Sequence, residues 1–394
     1  MKIAYFITHF PHKDRLIDHE LPKTYLIGGG ERVAYNLVKE LSKRGHEIYV
    51  FTTSPSYKDF VEKDGSVRIF KYGKNLKIGS TNISFKLLLE PMKYDVDIVH
   101  IHNTTAPGVI AGMIYAKKKR KPIVVTHHGA EKFSNFGSVI RRISVFLYVN
   151  FLVDKIFSYA DAIICPSAYF INDSRYLKKY KEKIKIVPNG INLDAFNIPI
   201  SKEECRKKLK LPSETDIILF LGALIPKKAP DILLRAMSKI VKKRSDVILI
   251  LAGSGIMREN LEKLSEKMGI KNNIKFVGFV EEYLKPLYYK AADIFVLPST
   301  MSTEVFPIVL LEASASGLPM IVSDLNTFRC IIEERYNGLF AKRKNEENLA
   351  DVIIYLLENK DIQKEMGKNA KKKVRDYSWE KIAEKTEKVY TDLI

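Results

Sequence analysis

The chain is poor in the residues that define several protein classes. Its 394 residues include three cysteines, Cys165, Cys205 and Cys330, far apart and with no CxxC pair. That excludes a disulfide framework or a zinc ribbon and suits a reducing, cytoplasmic compartment. Long apolar runs are missing: the longest, Val145 to Val153, covers about half of the residues a spanning helix needs, and Asn150 interrupts it. The expectation is a soluble protein that at most rests peripherally on the inner face of a membrane. No secretory leader is expected, because Met1-Lys2 leads directly into the alternating run IAYFIT. Acidic residues are the minority charge, 46 against 65 Lys and Arg, which gives a formal +19. Such a surplus bears on partners and solubility, and not on fold. A nucleic-acid partner is not expected: neither a recognised binding module nor aromatics interleaved along a basic stripe accompanies the charge.

What is present is an ample core: 46% of residues are apolar. A length far above the roughly 150 residues of one domain predicts two. Short β-branched runs alternate with helix-period segments. In the first half, strands are expected at Lys2-Thr8, Glu47-Thr53, Val67-Tyr72, Asp97-Asn103, Pro122-His128, Ala162-Ser167 and Ile184-Pro188. In the second half they are expected at Ile217-Gly222, Val247-Ala252, Ile274-Gly278, Ile294-Pro298, Pro319-Ser323 and Gly338-Phe340. Helices are expected at Pro230-Arg244, Arg258-Met268, Tyr283-Ala291, Pro307-Ser316 and Leu349-Asn359. Nearly continuous apolar strands with helical crossovers predict an α/β fold of two Rossmann-like, doubly wound parallel-sheet domains facing across a cleft. The seam is placed in Asn189-Pro212, which carries no strand pattern.

Several constellations carry chemistry. In Glu304-Val-Phe-Pro-Ile-Val-Leu-Leu-Glu312, Pro307 suits a first helical turn. The amides of Ile308 and Val309 then form an anion site at a strand's carboxyl end. Glu312 can accept two hydrogen bonds from vicinal ribose hydroxyls, and Glu304 can serve a second sugar. The alternatives are a solvated loop charge for Glu304, and a surface charge or a buried, partnered carboxylate for Glu312. Lys227 and Lys228 follow a strand and can neutralise phosphate, or be ordinary surface lysines. The Gly28-Gly29-Gly30-Glu31 loop precedes the first helix and lets backbone approach a ligand, although it is not GxGxxG. Of His127 and His128 at the end of a strand, one alone can point into the cleft. His100 and His102 share a strand face without partners for a metal site, and Asp95-Val-Asp97 stands at the wrong strand edge for one, so no metal is expected.

Taken together these residues resemble the retaining GT-B glycosyltransferases of family four. The likeness covers almost the whole chain. It rests on E-x7-E at Glu304 and Glu312, then Ala313, Ala315, Gly317 and Pro319. Supporting matches are the GGGE loop, His128-Gly129, Pro188-Asn-Gly-Ile191, the Gly222 loop with Lys228, Ala252-Gly-Ser-Gly255, Ala292-Asp293 and Tyr377-Ser-Trp379. The resemblance implies that Glu312 holds the ribose and Glu304 the donor sugar. It implies that Phe306, Pro307, Ile308 and Val309 bind sugar and phosphate, that Val280 approaches the base, and that Lys228 pairs with the diphosphate. Gly29, Gly30 and Lys227 join the donor set, and His128 positions sugar or acceptor hydroxyls. Ala223 stands where the family usually has an arginine, leaving the diphosphate one charge short unless Lys227 compensates.

The implied organisation is an acceptor-side domain over 1–190, a nucleotide-sugar-binding domain over 191–375 and a terminal helix over 376–394 that returns to the first. The implied function is metal-independent, retaining transfer of a hexose from a nucleotide-diphosphate sugar to an acceptor hydroxyl on a glycan or lipid-linked sugar, with no cofactor beyond that co-substrate. Rival readings are a sugar-nucleotide epimerase or phosphorylase on the same fold, or a catalytically inactive binder. Finally, Phe133, Phe136, Val139, Ile140, Ile143, Phe146, Leu147 and Val149 recur near helical spacing, flanked by Lys132, Arg141 and Arg142. Such a helix either packs on the sheet or rests on an anionic membrane face.

Overall fold

The computed structural model describes residues 1–11, 28–79, 81–129 and 139–394. By its internal contacts the chain divides into two units: Met1–Gly190 with Trp379–Ile394, and Ile191–Ser378.

The first unit is built on an eight-stranded sheet ordered β10-β9-β8-β7-β1-β2-β4-β3. In chain order these are β1 (Lys2–Phe6), β2 (Glu47–Thr53), β3 (Phe60–Asp64), β4 (Val67–Tyr72), β7 (Ile98–Asn103), β8 (Ile123–His127), β9 (Ala162–Cys165) and β10 (Ile184–Ile186). A separate antiparallel pair is formed by β5 (Leu76–Ile78) and β6 (Thr81–Ile83). The central strands are buried along their whole length, which is why they read as unbroken apolar runs. β3 departs from the expected all-parallel sheet: it pairs antiparallel with β4 at the edge. Its sequence, FVEKD, is charged and largely exposed, which is one way an edge is protected from pairing, so no apolar run announced it. The helix Trp379–Thr391 belongs to this unit, where Glu387 bonds His46 at 2.8 Å and the Tyr390 hydroxyl meets that of Tyr5 at 2.8 Å.

The second unit holds a six-stranded sheet ordered β13-β12-β11-β14-β15-β16. Its strands are β11 (Asp216–Leu221), β12 (Val247–Ala252), β13 (Ile274–Gly278), β14 (Ile294–Leu297), β15 (Met320–Ser323) and β16 (Gly338–Ala341). All pairings are parallel. Counted within the unit this is the dinucleotide-binding order, in which the strand order reverses between β11 and β14, the place where such sheets take ligands. Asp293, just before β14, accepts hydrogen bonds from Arg206 at 2.8 Å, Lys202 at 2.5 Å and the Ile217 amide at 2.6 Å. It ties the helix Lys202–Lys208 to the sheet. That helix lies inside the seam expected to be featureless, and its capping box, Ser201 with Glu204, is a sequence signal that the strand-centred reading passed over. Helices at Ala106–Lys119 and Lys360–Lys373 were likewise not expected. The first is nearly apolar all round and the second nearly polar all round, so neither carries a strong amphipathic stripe.

Candidate functional site

The reversal between β11 and β14 brings two loops together. Lys227 follows β11, and its carbonyl accepts the Thr300 amide at 2.9 Å from the loop after β14. Gly253, after β12, approaches the first of these loops so closely that a Cβ on it would lie 1.8 Å from the Gly222 carbonyl oxygen. With φ at +146° as well, the position suits glycine alone. The Ala252-Gly-Ser-Gly255 match is therefore a matter of two backbones in contact.

Glu304 is the centre of this arrangement. It is buried, with Lys227 Nζ 2.6 Å from one carboxylate oxygen and Lys228 Nζ bonded to the other. Burial pushes its pKa up, but the two ammonium groups outweigh that and hold it at about 2. Lys227 and Lys228 are thus not free surface lysines, and Glu304 is not a solvated loop charge. The helix that follows runs Ile308–Ala315. Pro307 is its N-cap residue, at φ −74° and ψ 117°, and not a member of the first turn as expected. A ring that fixes φ and lacks an N–H is tolerated there too, because the Pro307 carbonyl still accepts the Leu310 amide. The Ile308 and Val309 amides belong to the first turn, where the helix itself offers no acceptor.

Glu312, one turn on, is 3% exposed. Lys285 Nζ lies 2.9 Å from one of its oxygens, and the Tyr289 hydroxyl donates to the other at 2.8 Å. Of the readings open at the outset, the buried and partnered carboxylate is the one observed. Each oxygen keeps a second lone pair, so the group can still accept from a ligand. Burial, and then the Glu312 charge, raise the Tyr289 pKa well above the usual phenol range, so it stays a donor. Lys285 and Tyr289 were missed. Their spacing of four residues puts them on one helix face, but nothing in the sequence links that face to Glu312. Val280 is buried just after β13, and Phe306 is buried with its ring 5.7 Å from that of Tyr377.

In the first unit the structure gathers Gly30, His102 and His128. Gly29 and Gly30 open the helix Gly29–Lys43, so they lie in its first turn and not before it. A Cβ on Gly30 would meet Thr104 Cγ2 at 2.9 Å and the His128 ring at 3.2 Å. His128 Nε2 lies 3.0 Å from His102 Nδ1, and the two rings stack with centroids 5.2 Å apart. His127 points the other way, toward Asn103 and Phe157, as strand alternation requires. His100 is bonded to the Tyr390 hydroxyl at 2.5 Å and to Thr126 at 2.7 Å. Burial holds His100 and His128 at about 3 and His102 well below its ordinary value, so all three are neutral. His102 was set aside for want of metal partners, and its contact with His128 needed the pairing of β7 with β8. Asp97 accepts the Lys2 amide at 2.7 Å and Asp95 pairs with Lys121 at 3.3 Å. Among the described residues no three His, Cys, Asp or Glu side chains gather as a metal site.

Comparison with known proteins adds the identity of the family. Residues 27–195 match the profile described as Glycosyltransferase Family 4, and residues 201–373 that of Glycosyl transferases group 1. An alpha-monoglucosyldiacylglycerol synthase from Acholeplasma laidlawii is 30% identical over 383 residues, covering 94% of each chain. A UDP-Gal:alpha-D-GlcNAc-diphosphoundecaprenol alpha-1,3-galactosyltransferase from Escherichia coli is 27% identical over 79% of each chain. The fold matches that of a sucrose-phosphate synthase from Thermosynechococcus elongatus with a TM-score of 0.78 at 22% identity, covering 100% of this chain and 98% of that one. The chain belongs to the family 4 glycosyltransferases, with the GT-B fold, and transfers sugar from a nucleotide sugar.

Proposed function

We propose that this family 4 glycosyltransferase moves a hexose from a UDP-sugar to a hydroxyl of a lipid or lipid-linked acceptor, with retention and without a metal. The observation that carries the reading is the Lys227–Glu304–Lys228 cluster beside the Ile308–Ala315 helix start. Two ammonium groups and first-turn amides converge where an open α/β sheet takes its ligand, and a leaving diphosphate needs that charge. Glu304 is held ionised by the same lysines, so it is an acceptor for donor-sugar hydroxyls at any pH above about 2. Glu312, steadied by Lys285 and Tyr289, takes the ribose hydroxyls. In the reaction the bond from the sugar's anomeric carbon to the diphosphate breaks. The acceptor oxygen bonds that carbon from the same face, and the departing phosphate takes the acceptor proton. His128, neutral at working pH, orients hydroxyls and is not the base.

Lipid as the acceptor class is supported by the names of the two relatives above and by the helical segment Val139–Leu147 with its continuation to Tyr159. Val139, Ile140, Ile143, Phe146, Leu147 and Phe151 are each 49–68% exposed. An exposed apolar face beside cationic surface is the character of a helix lying in a membrane interface. Lys132, Phe133 and Phe136 of the expected stripe lie outside the described residues. No helix among the described residues is long and apolar enough to cross a membrane. The test is transfer of radiolabelled hexose from UDP-glucose or UDP-galactose into vesicles containing diacylglycerol or a polyprenyl-diphosphate sugar, with excess chelator present. Label should enter the organic phase in an α-linkage by NMR. Label confined to water-soluble products would overturn the lipid acceptor, and activity lost to chelator and restored by magnesium would overturn the metal-free mechanism.

A further inference from the structure

The first-unit sheet has a second, unassigned concavity at its opposite edge. A cavity of ≈ 410 Å³ opens at the amino end of β8, lined among others by Lys117, Arg120, Lys121, Lys155, Tyr159 and Asp161. From Ile123 at the amino end of β8 to His128 just past its carboxyl end is five extended steps, about 16 Å, so this cavity is separate from the surroundings of His128.

The polar groups around it are unequally satisfied. The one lining carboxylate, Asp161, accepts the Ile123 amide at 2.7 Å and so is committed to the chain. Lys121 has a loose pair with Asp95 at 3.3 Å, whose side chain is 72% exposed. Lys117 Nζ sits 5.5 Å from the centroid of the Tyr159 ring. Arg120 and Lys155 have no ion pair among the described residues. Four cations thus converge on a concave wall with a single, occupied carboxylate. Arg120 also takes the left-handed conformation, φ 53°, that ends the helix Ala106–Lys119. Glycine is the usual residue for such an end, yet here it is an arginine that lines the cavity.

The rest of the wall is apolar, with Met113, Ile114 and Ile123. Lys155 and Tyr159 are four residues apart on the helix Val153–Tyr159, so they share the face that lines the cavity. We propose that this cavity binds a phosphate ester, with the Arg120 guanidinium and the Lys155 and Lys117 ammonium groups on its oxygens and the apolar wall against its carbon skeleton. It is a second anion site, independent of the nucleotide-sugar reading.

The test compares the full-length protein with Arg120→Gly/Lys155→Gln. Glycine accepts the φ of residue 120 without strain and Lys155 is exposed, so the variant keeps its fold; Lys155→Gln alone is a second variant with no backbone change. One arm measures sn-glycerol 3-phosphate by equilibrium dialysis, and the other flotation with phosphatidylglycerol or phosphatidylcholine vesicles. The double variant should lose phosphatidylglycerol vesicles by about thirtyfold, the effect of two basic residues at about 1 kcal/mol each. Lys228→Ala should bind as the parent does. Loss in the soluble arm as well points to a free phosphate ester as the source, and loss confined to vesicles points to a lipid headgroup. Unchanged binding in both arms overturns the proposal, as does an equal loss from Lys178→Gln/Lys181→Gln, which would mean that net charge alone is felt.

Discussion

The two constellations bury polar groups by opposite means. In the first unit His100, His102 and His128 are stripped of charge by burial, and their nitrogens are spent largely on one another, on Thr126 and on Tyr390. In the second unit Glu304 keeps its charge because the Lys227 and Lys228 ammonium groups stand within contact distance, and Glu312 is paired with Lys285 at 2.9 Å. A neutral cluster orients hydroxyls without attracting ions, whereas a charged one recruits a diphosphate and stabilises it as it leaves. Under the proposed function, turnover falls to the second unit and orientation to the first.

The largest effect should come from Lys228→Ala. Under the proposed role of Lys228 at the leaving diphosphate, its loss should cost roughly a hundredfold to a thousandfold in kcat, the scale of a lost electrostatic contact at a developing anion. It should weaken nucleoside diphosphate far more than nucleoside. His128→Ala, which removes an orienting neutral ring, should cost less. If initial rates put His128→Ala below Lys228→Ala, the division of labour between the units is wrong.

Glu312 comes next, and the structure sharpens what its loss would mean. Glu312→Ala should weaken donor binding by about 1.5–3 kcal/mol, the range for hydrogen bonds to a charged group. It also strips Lys285 of one of two carboxylate partners, the other being Glu282 at 2.9 Å, so some stability should go as well. Glu312→Gln keeps an acceptor for Tyr289 and separates the two costs. Calorimetric titration with donor, set beside thermal unfolding, should show glutamine recovering more stability than affinity. Full recovery of affinity would mean that the carboxylate serves packing and not ribose.

Acid should tell the units apart. An unfolded histidine titrates near 6.5, whereas native His100 and His128 do so at about 3. Below pH 6.5 the unfolded chain binds protons that the native first unit refuses, so its stability falls as pH drops, by about 1.4 kcal/mol per pH unit for each such histidine. Glu304 behaves differently. Its native value of about 2 lies below the ordinary 4.5, so its contribution is intact above pH 4.5 and fades only as pH falls toward 2. Between pH 6.5 and 4.5 the first unit should weaken alone. The single tryptophan, Trp379, belongs to it and is buried, so its fluorescence reports that unit, with hydrogen exchange in β14 reporting the other. Simultaneous loss of both signals would remove the distinction.

Much of this was legible because buried parallel strands write themselves as largely apolar runs: β2, β4 and β12 fall where the residue pattern put them. The edge strand β3 was not, since its sequence FVEKD is charged and largely exposed and offers no apolar run. Glu304, Lys228 and Glu312 stood out because spacing along one loop and one helix is a local property. Their partners did not: Lys285 and Tyr289 reach Glu312 across 27 and 23 residues, and His102 meets His128 only through the pairing of β7 with β8. Sequence spacing reveals what one element presents, and a buried charge's partner is a product of packing between elements.

The smallest predicted effect concerns Ala223, where the family resemblance implies an arginine. Its side chain is exposed in the loop after β11, and its carbonyl accepts the Ile225 amide at 3.0 Å, a bond that any residue can make. Ala223→Arg should therefore fold normally. It adds a cation to the loop that carries Lys227 and Lys228, whose ion-pair partner among the described residues is Glu304. If the cluster is built to meet a diphosphate, the new charge should tighten nucleoside diphosphate binding by a few-fold, about 1 kcal/mol at most for an exposed group. The gain should shrink as salt is raised from 0.05 to about 0.5 M, because a solvent-facing guanidinium is screened over roughly a Debye length. Uridine, without phosphate, should bind both forms equally. A gain that is indifferent to salt, or shared with uridine, would show that the arginine acts by packing, and that Lys227 and Lys228 already supply all the charge the diphosphate needs.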